Sequence, residues 1–133
     1  MSAVAVMRAL LLAHVPLTNL VGSRISAGTV PLASIPAVSV REVSRVERTT
    51  LANDSALAMV TARIQVTVYA ADYTQQKALL LAAKLGAGVH AGVIAGVTVL
   101  SVTRDMVGPD MSDEDGVIFE QSRDFKVSYL EPN

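Results

Sequence analysis

The sequence predicts an α+β domain: an antiparallel sheet of about four strands with two main helices packed on one face. Three observations carry this. Two stretches, Ala3–Ala13 and Tyr73–Leu85, place apolar residues at three- and four-residue spacing. Long stretches rich in Val, Ile and Thr alternate apolar and polar side chains. A helical pattern precedes a pair of strand patterns twice. The 133 residues suit a single domain, 1–133, and 51% hydrophobic residues suffice for a core. With no Trp, two Phe and three Tyr, that core is built from Val, Leu, Ile, Ala and Met.

In Ala3–Ala13, Val4, Met7 and Leu11, with Val6 and Leu10, form the helical stripe, and Ser2 is the expected N-cap. Pro16 ends this helix or starts the next turn. Leu17–Val21 is one helical turn, stopped by Gly22. Residues 23–36 hold Gly28, Pro31 and Pro36 and read as an ordered loop, punctuated by Ile25, Val30, Leu32 and Ile35. Val38–Val46 is the first strand, with Val38 and Val40 on one face. Ser39, Arg41, Val43 and Arg45 are expected on the other. The polar segment Glu47–Ser55, with Asn53-Asp54, reads as the turn of a long hairpin. Its second strand is Ala58–Tyr69. There Val60, Ala62, Ile64, Val66 and Val68 face the core, and Thr61, Arg63, Gln65, Thr67 and Tyr69 face away.

Asp72 is the expected N-cap of the second helix, with Gln75 completing a capping box. Ala78, Leu81, Ala82 and Leu85 are its expected core stripe, and Gly86 its stop. Val93–Thr103 reads as the third strand and residues 104–116 as an acidic loop. Val117–Leu130 reads as the fourth strand. On it Val117, Phe119, Phe125, Val127 and Tyr129 share a face with Gln121 and Arg123, which predicts a bulge or an edge.

Motifs carrying chemistry are absent. There is no cysteine, hence no disulfide, thiolate site or Cys nucleophile. No G-x-S-x-G, Walker loop or H-E-x-x-H occurs. Gly86-Ala87-Gly88-Val89-His90-Ala91 matches a dinucleotide fingerprint, but that chemistry needs a strand before it and a helix after, and here the order is reversed. His14 and His90 are the only histidines and have no ligand spacing. Asp110, Asp113, Glu114, Asp115 and Gly116 do not keep a calcium-loop register. The expectation is no catalytic residue, no cofactor and no metal. Met1–Val15 lacks the basic region and clean cleavage site of a signal peptide. Ala78–Leu100 is long and apolar, but Lys84, His90 and four glycines interrupt it. A break near Gly86 is expected rather than a membrane span.

Leu17-Thr18-Asn19-Leu20-Val21-Gly22-Ser23-Arg24-Ile25 follows a helix containing Met7-Arg8-Ala9-Leu10-Leu11-Leu12 and precedes Ile35-Pro36 and a strand. This order resembles the tail-completion protein family of long-tailed bacteriophages. Ala62–Ala70, running into Asp72-Tyr73, resembles that family's middle strand and helix, and Arg123–Tyr129 its last strand. The resemblance implies a tail terminator: a small α+β virion protein forming a ring, typically hexameric, at the head-proximal end of the tail tube. It implies as partners other copies of itself, the tail tube protein and head–tail connector proteins. DNA would pass through the channel without specific binding, and assembly would occur in the host cytoplasm. The acidic loop and the polar strand Val38–Val46 depart from the family pattern. A head-side connector or adaptor is the alternative virion role, and a small-ligand α+β enzyme the alternative from another class.

Charge divides along the chain. Residues 1–66 hold six Arg and three acidic residues, net +3. Residues 67–133 hold five basic and nine acidic residues, net −4, giving the overall −1. A closed ring joins two different patches of each subunit. The expected ring interface is therefore Arg41 and Arg45 against Asp113 and Asp115 of the next subunit. Arg48, Thr49, Thr50 and Leu51, at the expected hairpin tip, are the expected tube contact.

Overall fold

A computed structural model describes residues 2–30, 34–48, 57–86, 90–113 and 117–132. Two helices, α1 (Ser2–Leu12) and α2 (Val15–Val21), lead into strands β1 (Ile25–Ala27), β2 (Ala37–Arg48) and β3 (Leu57–Ala70). Helix α3 (Tyr73–Ala82) follows, then β4 (Gly92–Ile94), β5 (Val97–Val107), β6 (Met111–Ser112) and β7 (Phe119–Pro132). The strands form one sheet in the order β1-β2-β3-β7-β5-β4, with β6 also paired to β7. The β1–β2 pair is parallel and the others antiparallel. This corrects the expected four-stranded antiparallel sheet with two helices: among the described residues the sheet is mixed and seven-stranded, and there are three helices.

The middle of the sheet is β3 beside β7, in unbroken register from Leu57↔Pro132 to Ala70↔Phe119. Alternation puts Val60, Ala62, Ile64, Val66 and Val68 on the helix-bearing face with Phe125, Val127 and Tyr129, all fully or almost fully buried. The opposite face pairs hydroxyls: Thr61 with Ser128 at 3.0 Å and Thr67 with Ser122 at 2.7 Å. Gln121 and Arg123 lie on the helix-bearing face, yet β7 has neither the expected bulge nor an edge position. It is internal, and the register shifts fall in β5 and β2. Gln121 is accommodated there by accepting from Lys77 Nζ at 2.9 Å and donating to the Gly108 carbonyl at 2.8 Å.

Helix α1 buries Ala3, Val6, Met7 and Leu11 in the same core. Asp72 caps α3, accepting from the Gln75 N–H at 2.7 Å. Gln75 reaches back to the Ala71 N–H at 2.8 Å. The core stripe of α3 is Gln76, Leu79, Leu80 and Ala83, joined by Leu85 beyond its end. It is not the expected set of Ala78, Leu81, Ala82 and Leu85. Leu81 is 69% exposed. The Gln76 side chain can sit inside because its Nε2 donates to the Glu120 carbonyl at 2.6 Å. Full burial of Leu79 contributes about 1.5–3 kcal/mol.

Three further expectations are corrected. The segment after Gly22 contains β1, which pairs Ile25 with Val38. The strand expected at Val93–Thr103 is a hairpin, β4 and β5. It turns at Ala95 and Gly96, whose φ angles of 51° and 76° suit a tight two-residue turn. Six residues of the expected acidic loop are strand: β5 runs to Val107, and Met111–Ser112 form β6, both along β7. The apolar stretch from Ala78 to Leu100 is thus divided between α3 and this hairpin. Among the described residues no single helix is long and apolar enough to cross a membrane.

Candidate functional site

Among the described residues, no group of three or more His, Asp or Glu side chains could hold a metal ion. Gly86 follows a helix in the chain, and the next described element is a strand, the reverse of the order the fingerprint needs. Leu85 and Gly86, at φ 69° and 68°, turn the chain out of α3. Residues 87–89, including Gly88, lie outside the described residues.

Beyond Val40, the outer side of β2 is paired with no described strand, and Arg41 to Arg48 are all exposed. A register shift around Val43 splits the two arginines expected on one face. Arg41 stands opposite Gln65, on the hydroxyl-rich face. Arg45 stands opposite Ala62, on the helix-bearing face. Arg45 reaches across β3, its Nη2 lying 2.5 Å from Glu131 and 3.1 Å from Glu47. Arg48 ends the described part of the strand. Thr49, Thr50 and Leu51 lie outside it, as do Asn53 and Asp54.

The described acidic residues of the segment 104–116 have partners within the chain, as does Asp124 on β7. Asp124, almost buried, accepts from Arg63 Nε at 2.8 Å, and Asp105 lies 3.6 Å from the same nitrogen. Asp110 accepts from Lys77 and from the Tyr73 hydroxyl, and these hydrogen bonds hold its carboxyl below the usual value. Asp113 is exposed and accepts the Val117 and Ile118 N–H groups at 2.7 and 3.1 Å. Glu114 and Asp115 lie outside the described residues. Along this edge Leu100, Met106, Val107, Met111 and Val117 are exposed apolar side chains.

Sequence reasoning missed one concave feature. Two adjoining hollows, of about 670 Å³ and 250 Å³, lie beside the C-terminal end of α3 and share Lys84, Gly86 and Arg104. The larger is walled by Pro16, Ala78, Leu81 and Ala82. The smaller adds His90, Thr103 and Phe125. Arg104 donates to the Gly86 carbonyl at 2.5 Å, which ties β5 to the turn after α3.

No family model and no curated protein matches this chain. Among solved structures, a chain in the virion of a native gene transfer agent (GTA) particle is similar to it with a TM-score of 0.67. The two are 19% identical, and the match covers 97% of each. This likeness shows a shared fold over nearly the whole chain.

Proposed function

We propose that the protein is a structural component of a phage-type virion, and more specifically a tail terminator. Residues 1–133 would form a single tail-terminator-like domain that closes into a ring, hexameric by the family resemblance, at the head-proximal end of the tail tube. The observation that carries this reading is the whole-chain fold likeness to a chain of a gene transfer agent virion. The ordered sequence resemblance to tail-completion proteins supports the finer role. The reading assigns no enzymatic activity, cofactor or membrane association.

A ring needs two unlike surfaces on each subunit. The two borders of the sheet, β2 past Val40 and β5 past Val99, supply unlike exposed edges, one charged and one apolar-rich. The proposed ring contact sets Arg41 and Arg45 against Asp113 and Asp115. The proposed tube contact is Arg48, Thr49, Thr50 and Leu51. Head–tail connector proteins would bind the opposite rim, and DNA would pass without specific binding. Negative-stain microscopy of the pure protein, alone and with tail tube protein, tests this. Rings that cap tubes are expected. A permanent monomer that never caps tubes refutes the ring. Labelling in intact virions separates a terminator from a head-side connector. Deleting Thr49–Asn53 is expected to leave a folded protein that no longer stops tube growth, and normal-length tails would refute the assigned tube contact.

A further inference from the structure

Positive groups without a carboxylate partner converge at the two hollows beside α3. Lys84 and Arg104 belong to both walls, and among the described residues no Asp or Glu lines either one. Arg123 stands on the neighbouring strand, two residues before Phe125, which lines the smaller hollow. It is half-buried, and its Nε has no hydrogen-bond partner among the described residues. Burial, and then the charge of Arg104, hold the Arg123 guanidinium below its ordinary pKa. Two arginines therefore crowd each other with no acid between them.

Seven of the described carboxylates are engaged elsewhere. Asp105 and Asp124 flank Arg63, Asp110 holds Lys77, and Glu47 and Glu131 hold Arg45. Asp72 caps α3, and Asp113 accepts two backbone N–H groups. Among the described residues none supplies the cleft with a counter-charge, which another molecule can provide. The aliphatic wall narrows the choice. Pro16, Ala78 and Leu81 form an apolar shelf beside Lys84 and Arg104, and Leu81 is largely exposed. A nucleic-acid backbone would leave that shelf uncovered. A polypeptide carrying a carboxylate beside an aliphatic residue would cover the shelf and pair the cations.

We propose that this cleft docks an acidic, aliphatic segment of a different protein, its carboxylate on Lys84 and Arg104 and its apolar side chain on Leu81. The site does not depend on ring formation.

The test is a titration of the full chain followed by backbone amide NMR shifts. The probes are the blocked peptide acetyl-Leu-Glu-Asp-Leu-amide, its Gln/Asn counterpart, inorganic phosphate and a short single-stranded DNA. The acidic peptide is expected to shift amides around positions 14–17, 78–86 and 103–104. Its neutral counterpart is expected to bind about tenfold more weakly. Lys84→Gln should weaken the acidic peptide about fivefold at unchanged Tm, and Arg104→Gln about as much, with Tm lowered by the loss of its hydrogen bond to the Gly86 carbonyl. Leu81→Ser should weaken both peptides, which a purely ionic site would not show. Stronger binding of phosphate or DNA would overturn the proposal in favour of a nucleic-acid contact. Concentration-dependent shifts at the same amides without peptide would overturn it in favour of a second copy of this chain. Equal binding of the two peptides, or no shift in the cleft with any probe, would overturn it outright.

Discussion

Arg41 and Arg45 both belong to the proposed ring contact. Of the two, only Arg45 also forms ion pairs with described residues of its own chain, so reversing them one at a time separates the folding contribution from assembly. Arg45 is held by Glu131 at 2.5 Å and Glu47 at 3.1 Å, on the helix-bearing side of the sheet. Arg45→Glu removes both attractions and leaves three carboxylates together. Exposed pairs contribute about 0–1 kcal/mol each, and repulsion among the three carboxylates adds a similar amount, so the loss is about 1–2 kcal/mol. At this chain length that lowers Tm by roughly 3–10 °C. Arg41 stands on the other face, opposite Gln65, and is exposed. Arg41→Glu should change folding stability by less than about 0.5 kcal/mol. If Arg41 meets Asp113 and Asp115 of the next subunit, the reversal costs on the order of 1 kcal/mol at every boundary, multiplied by the number of boundaries in the ring. Thermal denaturation at low protein concentration reads the first effect, and sedimentation velocity at high concentration reads the second. Adding Asp113→Lys and Asp115→Lys to Arg41→Glu should partly restore rings. Salt at about 1 M, where the Debye length is about 3 Å, should weaken the wild-type ring. Rings of Arg41→Glu that form normally, together with indifference to salt, would refute the charged interface. An unchanged Tm for Arg45→Glu would refute the energetic account of the Glu131 bridge.

Three other expectations follow from the fold. Ile64 is fully buried opposite Phe125, so Ile64→Asp loses about 1.5–3 kcal/mol of burial and adds an unpaired carboxylate. It should not fold, and circular dichroism showing wild-type thermostability would place the strand register one residue off. Asp72→Ala removes the α3 cap and should cost about 1 kcal/mol in urea unfolding. Asp110 is held below the ordinary carboxylate value by hydrogen bonds from Lys77 and Tyr73, so its link is present above that ordinary value and is lost as pH falls through the lowered one. An NMR titration should place its midpoint below about 3.9, and Lys77→Met should raise it.

What was legible in the sequence was local. The faces of β3 follow from strict alternation, and the Asp72 cap from a four-residue pattern. The three-residue strands β1 and β4 carry too few residues to show a period. The α3 stripe was ambiguous because Leu79, Leu80 and Leu81 make two helix faces equally apolar. The decision belongs to Gln76, whose Nε2 donates to the Glu120 carbonyl on β7, while its Oε1 has no partner among the described residues. The register shift at Val43 has no signal in Arg-Glu-Val-Ser-Arg, yet it moves Arg45 to the other face and changes which charges can meet a neighbour. Gln121 and Arg123 interrupt an apolar face, and the sequence-level explanation was a backbone defect. The backbone there is regular. The two side chains instead lie where a helix and two strands converge, Gln121 bound to Lys77 and Gly108, and Arg123 crowded by Arg104. Regular backbone beneath a polar interruption means the side chains must find partners in three dimensions. Gln121 finds them within the chain. The Arg123 Nε does not, and that difference directs attention to the cleft beside α3.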